Sequence, residues 1–539
     1  MLTRRSFVRL TGATAGTLFV PGLSLAGDDS RPPKGLIKGE PTAEKVGERV
    51  LAEGGNAFDA IVAAALTATI AAPYQTGIGG YGGSAMLATS GGKRITAIDF
   101  NSMAPAAATP DMFSRLEPLG TRQRYGWLAT GVPGILAGLQ LILDKYGSRS
   151  FADLVPPAIQ LAREGLPMIG GLASSIQSSA AQFAKDEGSR KLYLRDGKPL
   201  PAGERFCNPE LAEMLATLAK RGSVESFYRG DIAQHIADAF QLNDGLVTEK
   251  DLANYQAREV RPLTLTIGDC TIHTAPLAAG GLTVLQALSI LSAMKWDRMD
   301  AGVPRTHARL ETLRLAWRDR LTLLGDPDFS PVPTAKLLSA EYARECAEQI
   351  MAAVEAGKIL THDITPKPQG GTISLSAADA QGNFAALTLT HGESFGARVT
   401  VDGLGLTFGH GMSRFETNPQ HPNSPGPGKR PLHNMCPTIV TRGGLPVLAV
   451  GGRGGRKIPN AMFEVLTQFV MLGKPLAESF AAPRIHTEGN ATLEFEKHWP
   501  EAELKPLGQL GYTIRTGGNA TLSAVAQEDG QLRDRKSVV

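Results

Sequence analysis

The order of its elements restricts the fold of this chain more than any other feature. Apolar residues recur at helical spacing over most of 134–252 and again over 282–357, whereas from 372 onward the period becomes two, with strands expected at 372–378, 384–390, 398–401, 437–441 and 446–450. A helical period returns at 461–472. Two more helices are expected within 40–72, where Glu40-Pro41-Thr42-Ala43-Glu44 opens the first and Gly54-Gly55-Asn56 separates it from the second. A hairpin is expected over 84–100 about the Gly91-Gly92 turn, and a strand pair over 263–274. Helices early and strands late, without regular βαβ alternation, predict a layered α/β arrangement with antiparallel sheets rather than a doubly wound parallel sheet. At 539 residues the chain is long enough for one large layered unit or for two to four domains.

The strand-rich third opens with Gly370-Gly371-Thr372, followed by Ile373-Ser374-Leu375-Ser376, which alternates as a half-buried strand does. A threonine has no base in its own side chain. If the peptide bond before Thr372 were cut, the new α-amine, with a pKa of ~7.7, would take the proton of the hydroxyl and make it a nucleophile. A Gly-Gly turn before a strand is also a common structural feature, so the junction alone leaves both readings open.

At the N-terminus, Thr3-Arg4-Arg5-Ser6-Phe7-Val8-Arg9 precedes a weakly apolar run that closes on Ser24-Leu25-Ala26. This pattern predicts a twin-arginine export signal over 1–26 and a periplasmic or secreted protein. Its removal takes away three arginines and no acids, so 55 basic residues become 52, equal to the 52 acidic ones. A neutral chain has no electrostatic footprint for nucleic acid or for an anionic membrane surface. The longest apolar run after the signal, 60–72, stops at Pro73 and is too short to cross a bilayer, so no membrane span is expected. Cys207, Cys270, Cys346 and Cys436 lie far apart without metal-ligand spacing, and the ten histidines are scattered. No cofactor and no metal is expected.

Three glycine clusters bear on the chemistry. Gly77-Ile78-Gly79-Gly80-Tyr81-Gly82 matches a dinucleotide fingerprint, but a helix precedes it and a strand follows, the reverse of what that fingerprint needs, so a tight turn is expected. Gly392-Glu393-Ser394-Phe395-Gly396 matches the nucleophile elbow of serine esterases, with His391 beside it and Asp402 and His486 as possible partners. The β-branched run after it, ending at Asp402-Gly403, reads as a hairpin rather than the helix an elbow requires. Gly451-Gly452-Arg453-Gly454-Gly455-Arg456-Lys457 joins a strand to a helix, a place where backbone N–H groups suit an oxyanion, or equally a flexible turn with solvated arginines.

Several segments, in order along nearly the whole chain after the signal, resemble the γ-glutamyltranspeptidase family of N-terminal-nucleophile hydrolases. They are 54–60, 77–80, 131–134, 156–165, 227–230, 325–329 and 437–440. The resemblance implies an αββα sandwich built from a large subunit, 27–371, and a small catalytic subunit, 372–539, made when one precursor cuts itself. It implies Thr372 as nucleophile, counting from Gln381-Gly382-Asn383, which looks like the family's Asp-Gly-Asn turn. Thr390 falls at the supporting threonine, and Gly454 and Gly455 at the pair whose N–H groups hold the oxyanion. The implied activity is cleavage or transfer of an acyl group, by family default γ-glutamyl from glutathione or another small or peptide amide.

The substrate positions depart from the family. Asn101 stands where an arginine binds the α-carboxylate of a γ-glutamyl group, and Arg414 where an aspartate binds its α-amine. Gly392 replaces an asparagine, and His433 and Asn434 replace two serines. Losing the cation and reversing the anion removes both ends of a zwitterion clamp. The shortened segment 415–429 predicts an open pocket. Alternatives are therefore an amidohydrolase similar to the family's oxamate-amidohydrolase or cephalosporin-acylase branches, a serine esterase using Ser394, and a binding protein whose threonine never becomes an N-terminus.

Overall fold

The computed structural model describes residues 34–114, 121–361 and 370–537; the expected signal over 1–26 lies outside them. The strands that matter for the site are β1 (Gly35–Lys38), β2 (Gly82–Ala88), β3 (Ile95–Asn101), β4 (Arg258–Val260), β5 (Leu263–Ile267), β6 (Cys270–Thr274), β7 (Thr372–Asp379), β8 (Phe384–Thr390), β9 (Thr438–Arg442), β10 (Leu445–Arg453), β11 (Thr521–Glu528) and β12 (Gln531–Lys536). They form two six-stranded sheets, ordered β1-β7-β8-β2-β3-β4 and β12-β11-β10-β9-β6-β5. Every neighbouring pair is antiparallel.

The sheets pack face to face through small side chains, Ala88, Ala97, Ala378, Ala386 and Ala449, with Met86, Phe384, Ile439 and Val525 filling between them. Helices cover both outer faces. Against the first sheet lie α1 (Pro41–Ala52), α2 (Ala57–Ala71) and α3 (Ile135–Tyr146); against the second lie α4 (Gly281–Ala293), α5 (Val303–Leu323), α6 (Ala340–Glu355) and α7 (Lys457–Leu466). The result is a four-layered αββα sandwich, as expected. The start of α2 shows how local sequence sets this packing. Asn56 caps it, and Asp59 answers to the Asn56 backbone in a capping box while also accepting from Ser148 N at 2.8 Å. The helix is buried from Ala57 to Ile70, which explains its unbroken apolar sequence.

Several expectations need correction. β7 is not half-buried: all eight of its residues are interior. Its alternation separates two interior faces, with Ile373, Leu375 and Ala377 in the helix-side core and Ser374 and Ser376 toward the second sheet, where Ser376 Oγ donates to Ser523 O and Ser523 Oγ to Ser374 O, both at 3.0 Å. The strand expected over 398–401 shortens to Thr400–Val401, because Arg398 adopts φ +59°. The late helix begins earlier, at Lys457, and its last turn loosens into a π-turn over Thr467–Met471. β1, β4, β11 and β12 were not foreseen.

Candidate active site

The pairing register lines up the expected site residues. Thr372 pairs with Thr390, Thr390 with Gly82 and Gly82 with Asn101, one row across four strands with side chains on one face. Thr372 Oγ1 lies 3.1 Å from Thr390 Oγ1. The Thr390 hydroxyl also donates to the carbonyl of Gly371, and Gly392 N donates to Thr390 Oγ1 at 2.7 Å. One hydroxyl thus touches the carbonyl before Thr372, the Thr372 hydroxyl and the loop that follows β8. Gly371 has φ +75°, and a Cβ there would come within 2.6 Å of the Glu393 backbone, so the junction requires glycine on both counts.

Arg414 joins this row through the same loop, donating from Nη2 to Gly392 O. Its guanidinium lies 5.9 Å from the Tyr81 ring and 3.2 Å from His410 Nε2. Arg414 and Asn434 line one cavity with Arg320, Arg456, Trp317, Glu416 and His421. His433 is buried beside it and gives its carbonyl to Arg320 Nη2 at 2.7 Å, and Asn434 Oδ1 accepts from the same nitrogen at 3.2 Å. Asn101 stands apart from that cavity. It is fully buried, with Nδ2 on Pro431 O at 2.8 Å, Oδ1 unpartnered among the described residues, and its carbonyl accepting from Tyr255 and Arg430.

Gly454 and Gly455 form the turn between β10 and α7, their carbonyls accepting from Lys457 N and Ile458 N. Both have positive φ, +135° and +62°. Gly451 of the same strand lies against Ser374, two residues from Thr372, where a Cβ would come within 2.5 Å of Ser374 Oγ. The esterase constellation does not assemble. Ser394 lies in a turn with no helix after it, Asp402 pairs with Lys191 at the surface and His486 Nδ1 contacts Asn460. The glycines at 77–80 form the expected turn between α2 and β2, touching Phe408 through Gly79.

Sequence reasoning did not single out Arg320, Trp317 or Tyr81. α5, which carries the first two, is charged along its whole length yet buries Arg309, Glu311, Arg314, Asp319 and Arg320. A charged helix without an apolar stripe ordinarily reads as solvated; a helix this long and charged on every side, set among apolar ones, was the available signal.

Four buried histidines make the fold sensitive to acid. Desolvation holds His391 and His433 down to about 3 and His307 down to about 4, and keeps His410 well below its ordinary value, with the Arg414 cation adding to the effect. Unfolded histidine titrates near ~6.5, above all four, so below that pH the unfolded chain binds more protons. The stabilisation is complete above pH ~6.5 and is lost as pH falls toward the folded values, by up to about 1.4 kcal/mol per histidine per pH unit. Urea unfolding midpoints should therefore drop from about pH 7 to about pH 5, and His391→Asn should flatten that slope.

The family description "Gamma-glutamyltranspeptidase" matches residues 43–534. The glutathione hydrolase proenzyme of Escherichia coli (strain K12) is 33% identical over 511 residues, covering 91% of this chain and 88% of that protein. The acylase ACY 1 proenzyme of Pseudomonas sp. (strain V22) is 31% identical over 489 residues, covering 89% and 87%. Among solved structures, a cephalosporin acylase from Bacillus halodurans superposes with a TM-score of 0.83 at 25% identity, over 97% of this chain and 98% of that one. Among the described residues no helix is long and apolar enough to cross a membrane.

Proposed function

Because this chain belongs to the γ-glutamyltranspeptidase family, and is an enzyme with that family's N-terminal-nucleophile hydrolase sandwich, we propose that it cuts itself between Gly371 and Thr372 and then works as an amidohydrolase with Thr372 as nucleophile. The contact that carries this reading is the Thr390 hydroxyl, placed on both the Gly371 carbonyl and Thr372 Oγ1. A donor on that carbonyl stabilises the negative charge that develops when Thr372 Oγ1 attacks Gly371 C. The C–N bond then breaks, the nitrogen takes up the proton that the Thr372 hydroxyl gave up and becomes the free α-amine, and water hydrolyses the ester to free the Thr372 hydroxyl and leave Gly371 as a carboxylate. In the processed enzyme that amine takes the Thr372 proton, Oγ1 attacks an amide carbonyl, and the acyl group passes to water or an amine. Gly454 and Gly455 are proposed to hold the oxyanion through their N–H groups.

The products of the cut would be 27–371 and 372–539 after twin-arginine export to the periplasm or beyond. Relatives named glutathione hydrolase and relatives named acylase both match this chain. The acylase side is favoured here by Arg414, a cation in contact with the Gly392 carbonyl at the place where the family resemblance expects an anion for the substrate amine.

Intact mass and N-terminal sequencing of the purified protein test the reading: two associated chains, the smaller starting at Thr372, are expected, and a single uncut chain would overturn it. Thr390→Val keeps the shape and removes the hydroxyl. It should slow both processing and turnover by roughly 10²- to 10³-fold, measured as the half-time of chain splitting and as kcat.

A further inference from the structure

A second polar cavity lies between the sheets beside β1. In the pairing register Arg453 of β10 stands opposite Thr521 of β11, and Ser523 of β11 opposite Lys536 of β12. Thr521 and Ser523 are two positions apart, so all four side chains leave one face of the second sheet. That face looks at the first sheet, because Ser523 Oγ donates to Ser374 O of β7 at 3.0 Å. Together with Ser374 the four line a cavity of about 230 Å³, which Gly39, Glu40 and Gln75 close from the early part of the chain.

Its two cations are half-buried and poorly matched. Arg453 Nη1 donates to Gln75 Oε1 at 2.7 Å and Lys536 Nζ to the Gly39 carbonyl, both neutral acceptors, and neither cation forms an ion pair among the described residues. Burial pulls the Lys536 pKa down, and the Arg453 cation adds to this against the opposite pull of Glu44. Glu40, the carboxylate on the wall, is engaged as the cap of α1, accepting from Ala43 N at 2.8 Å. Two cations against one carboxylate leave net positive charge in a place where desolvation makes an unmatched cation costly. Ser374 Oγ is buried there without a hydrogen-bond partner among the described residues.

We propose that this cavity binds a small tetrahedral oxyanion, phosphate or sulfate in kind, between Arg453 and Lys536, and that the bound ion clamps the part of the chain before residue 371 to the part after it. The donors come from β7, β10 and β12 rather than from one plane, which suits a tetrahedral acceptor better than a planar carboxylate. Each cation already reaches from the late part of the chain to an early acceptor, Gln75 or Gly39. An ion that takes up their remaining N–H groups holds both bridges in place and stabilises the folded state by mass action. The site exists before and after any cut, so it stands apart from the amidohydrolase reading.

The probe is inorganic phosphate on the whole protein, with ionic strength held constant by sodium chloride. The melting temperature should rise by about 2 °C or more and then level off, and acetate at the same concentration should give about half that rise or less. Arg453→Gln and Lys536→Gln should each move the midpoint of the titration about tenfold or more to higher phosphate. General salt stabilisation neither saturates nor depends on these two residues. A rise that never levels off, or one that both variants keep unchanged, overturns the proposal, and acetate acting as strongly as phosphate overturns the tetrahedral class. If a variant does not fold, the wild-type protein decides. Phosphate at twice its dissociation constant should slow reductive methylation of Lys536, read by peptide mass, about threefold, and a rate equal to that in chloride overturns the site. Thr372→Ala should bind phosphate as tightly as wild type whether or not the wild type is cut, which separates this site from the reading of the nucleophile.

Discussion

Thr372→Ala should yield one uncut chain with no detectable amidase activity, a loss of roughly 10⁴-fold or more in kcat. The side chain removed is the only group placed to attack the Gly371 carbonyl in the reading above, and Thr390, left with its hydroxyl on that carbonyl, has no nucleophile to assist. Thr372→Ser separates chemistry from packing. It keeps the oxygen and loses a methyl, so it should still split, about tenfold more slowly, because the hydroxyl is freed to occupy other rotamers. Gel mobility over time and intact mass read both variants. An alanine variant that still splits at 371–372 would remove Thr372 from the mechanism, and a serine variant that folds but never splits would show that the methyl is needed to orient the attack.

The second large effect is on cohesion. Glu311 of α5 is completely buried and accepts hydrogen bonds from Arg314, from the Tyr512 hydroxyl and from Leu360 N at 3.1 Å. Arg314, itself buried, also reaches Asn490 O at 2.9 Å and Leu360 O at 2.8 Å. Glu311 and Arg314 belong to the segment before the proposed cut, and Tyr512 and Asn490 to the one after it. Glu311→Ala would leave a buried guanidinium without its carboxylate, costing about 3–5 kcal/mol. A urea midpoint lowered in proportion, together with release of the small chain from the processed protein on size exclusion, is the expected outcome. A midpoint within experimental error of wild type would show that water or rearrangement replaces the carboxylate.

The two threonines that the family resemblance assigns to the site, Thr372 and Thr390, could be paired in advance because the strands that carry them are local. A Gly-Gly-Thr junction, a strand with period two and a second strand beginning after Gly382-Asn383 are enough to align Thr372 with Thr390 once the two strands are joined by a short turn, and Asp379 closes that turn on Gln381 N and Asn383 N. A layered arrangement with antiparallel sheets was legible from the order of helices and strands, and the αββα sandwich from the family resemblance. What could not be read was whatever depends on distant segments meeting. Ser374 and Ser376 look like the wet side of a strand and instead face a second sheet. Arg320 and Arg456, 136 positions apart in sequence, share one indole ring. β12, Gln-Leu-Arg-Asp-Arg-Lys, has no apolar pattern of its own and is an edge strand with Gln531, Arg533 and Arg535 in solvent.

The strand order has a consequence for the life of the molecule. β7 and β8 come from the segment after residue 371, yet they are bordered in their sheet by β1 and β2 from the segment before it, and β5 and β6 of the early segment extend the sheet made by the late one. Neither part can complete a sheet by itself. Before the cut, assembly is a unimolecular search within one tethered chain; after it, the same pairing would require two separate chains to find each other at their prevailing concentration. The proposed scission therefore acts as a ratchet. Folding has to come first, the cut can occur only in a finished sandwich, and a processed molecule once unfolded should regain activity with a rate and yield that depend on protein concentration, whereas the Thr372→Ala precursor should regain its structure independently of it.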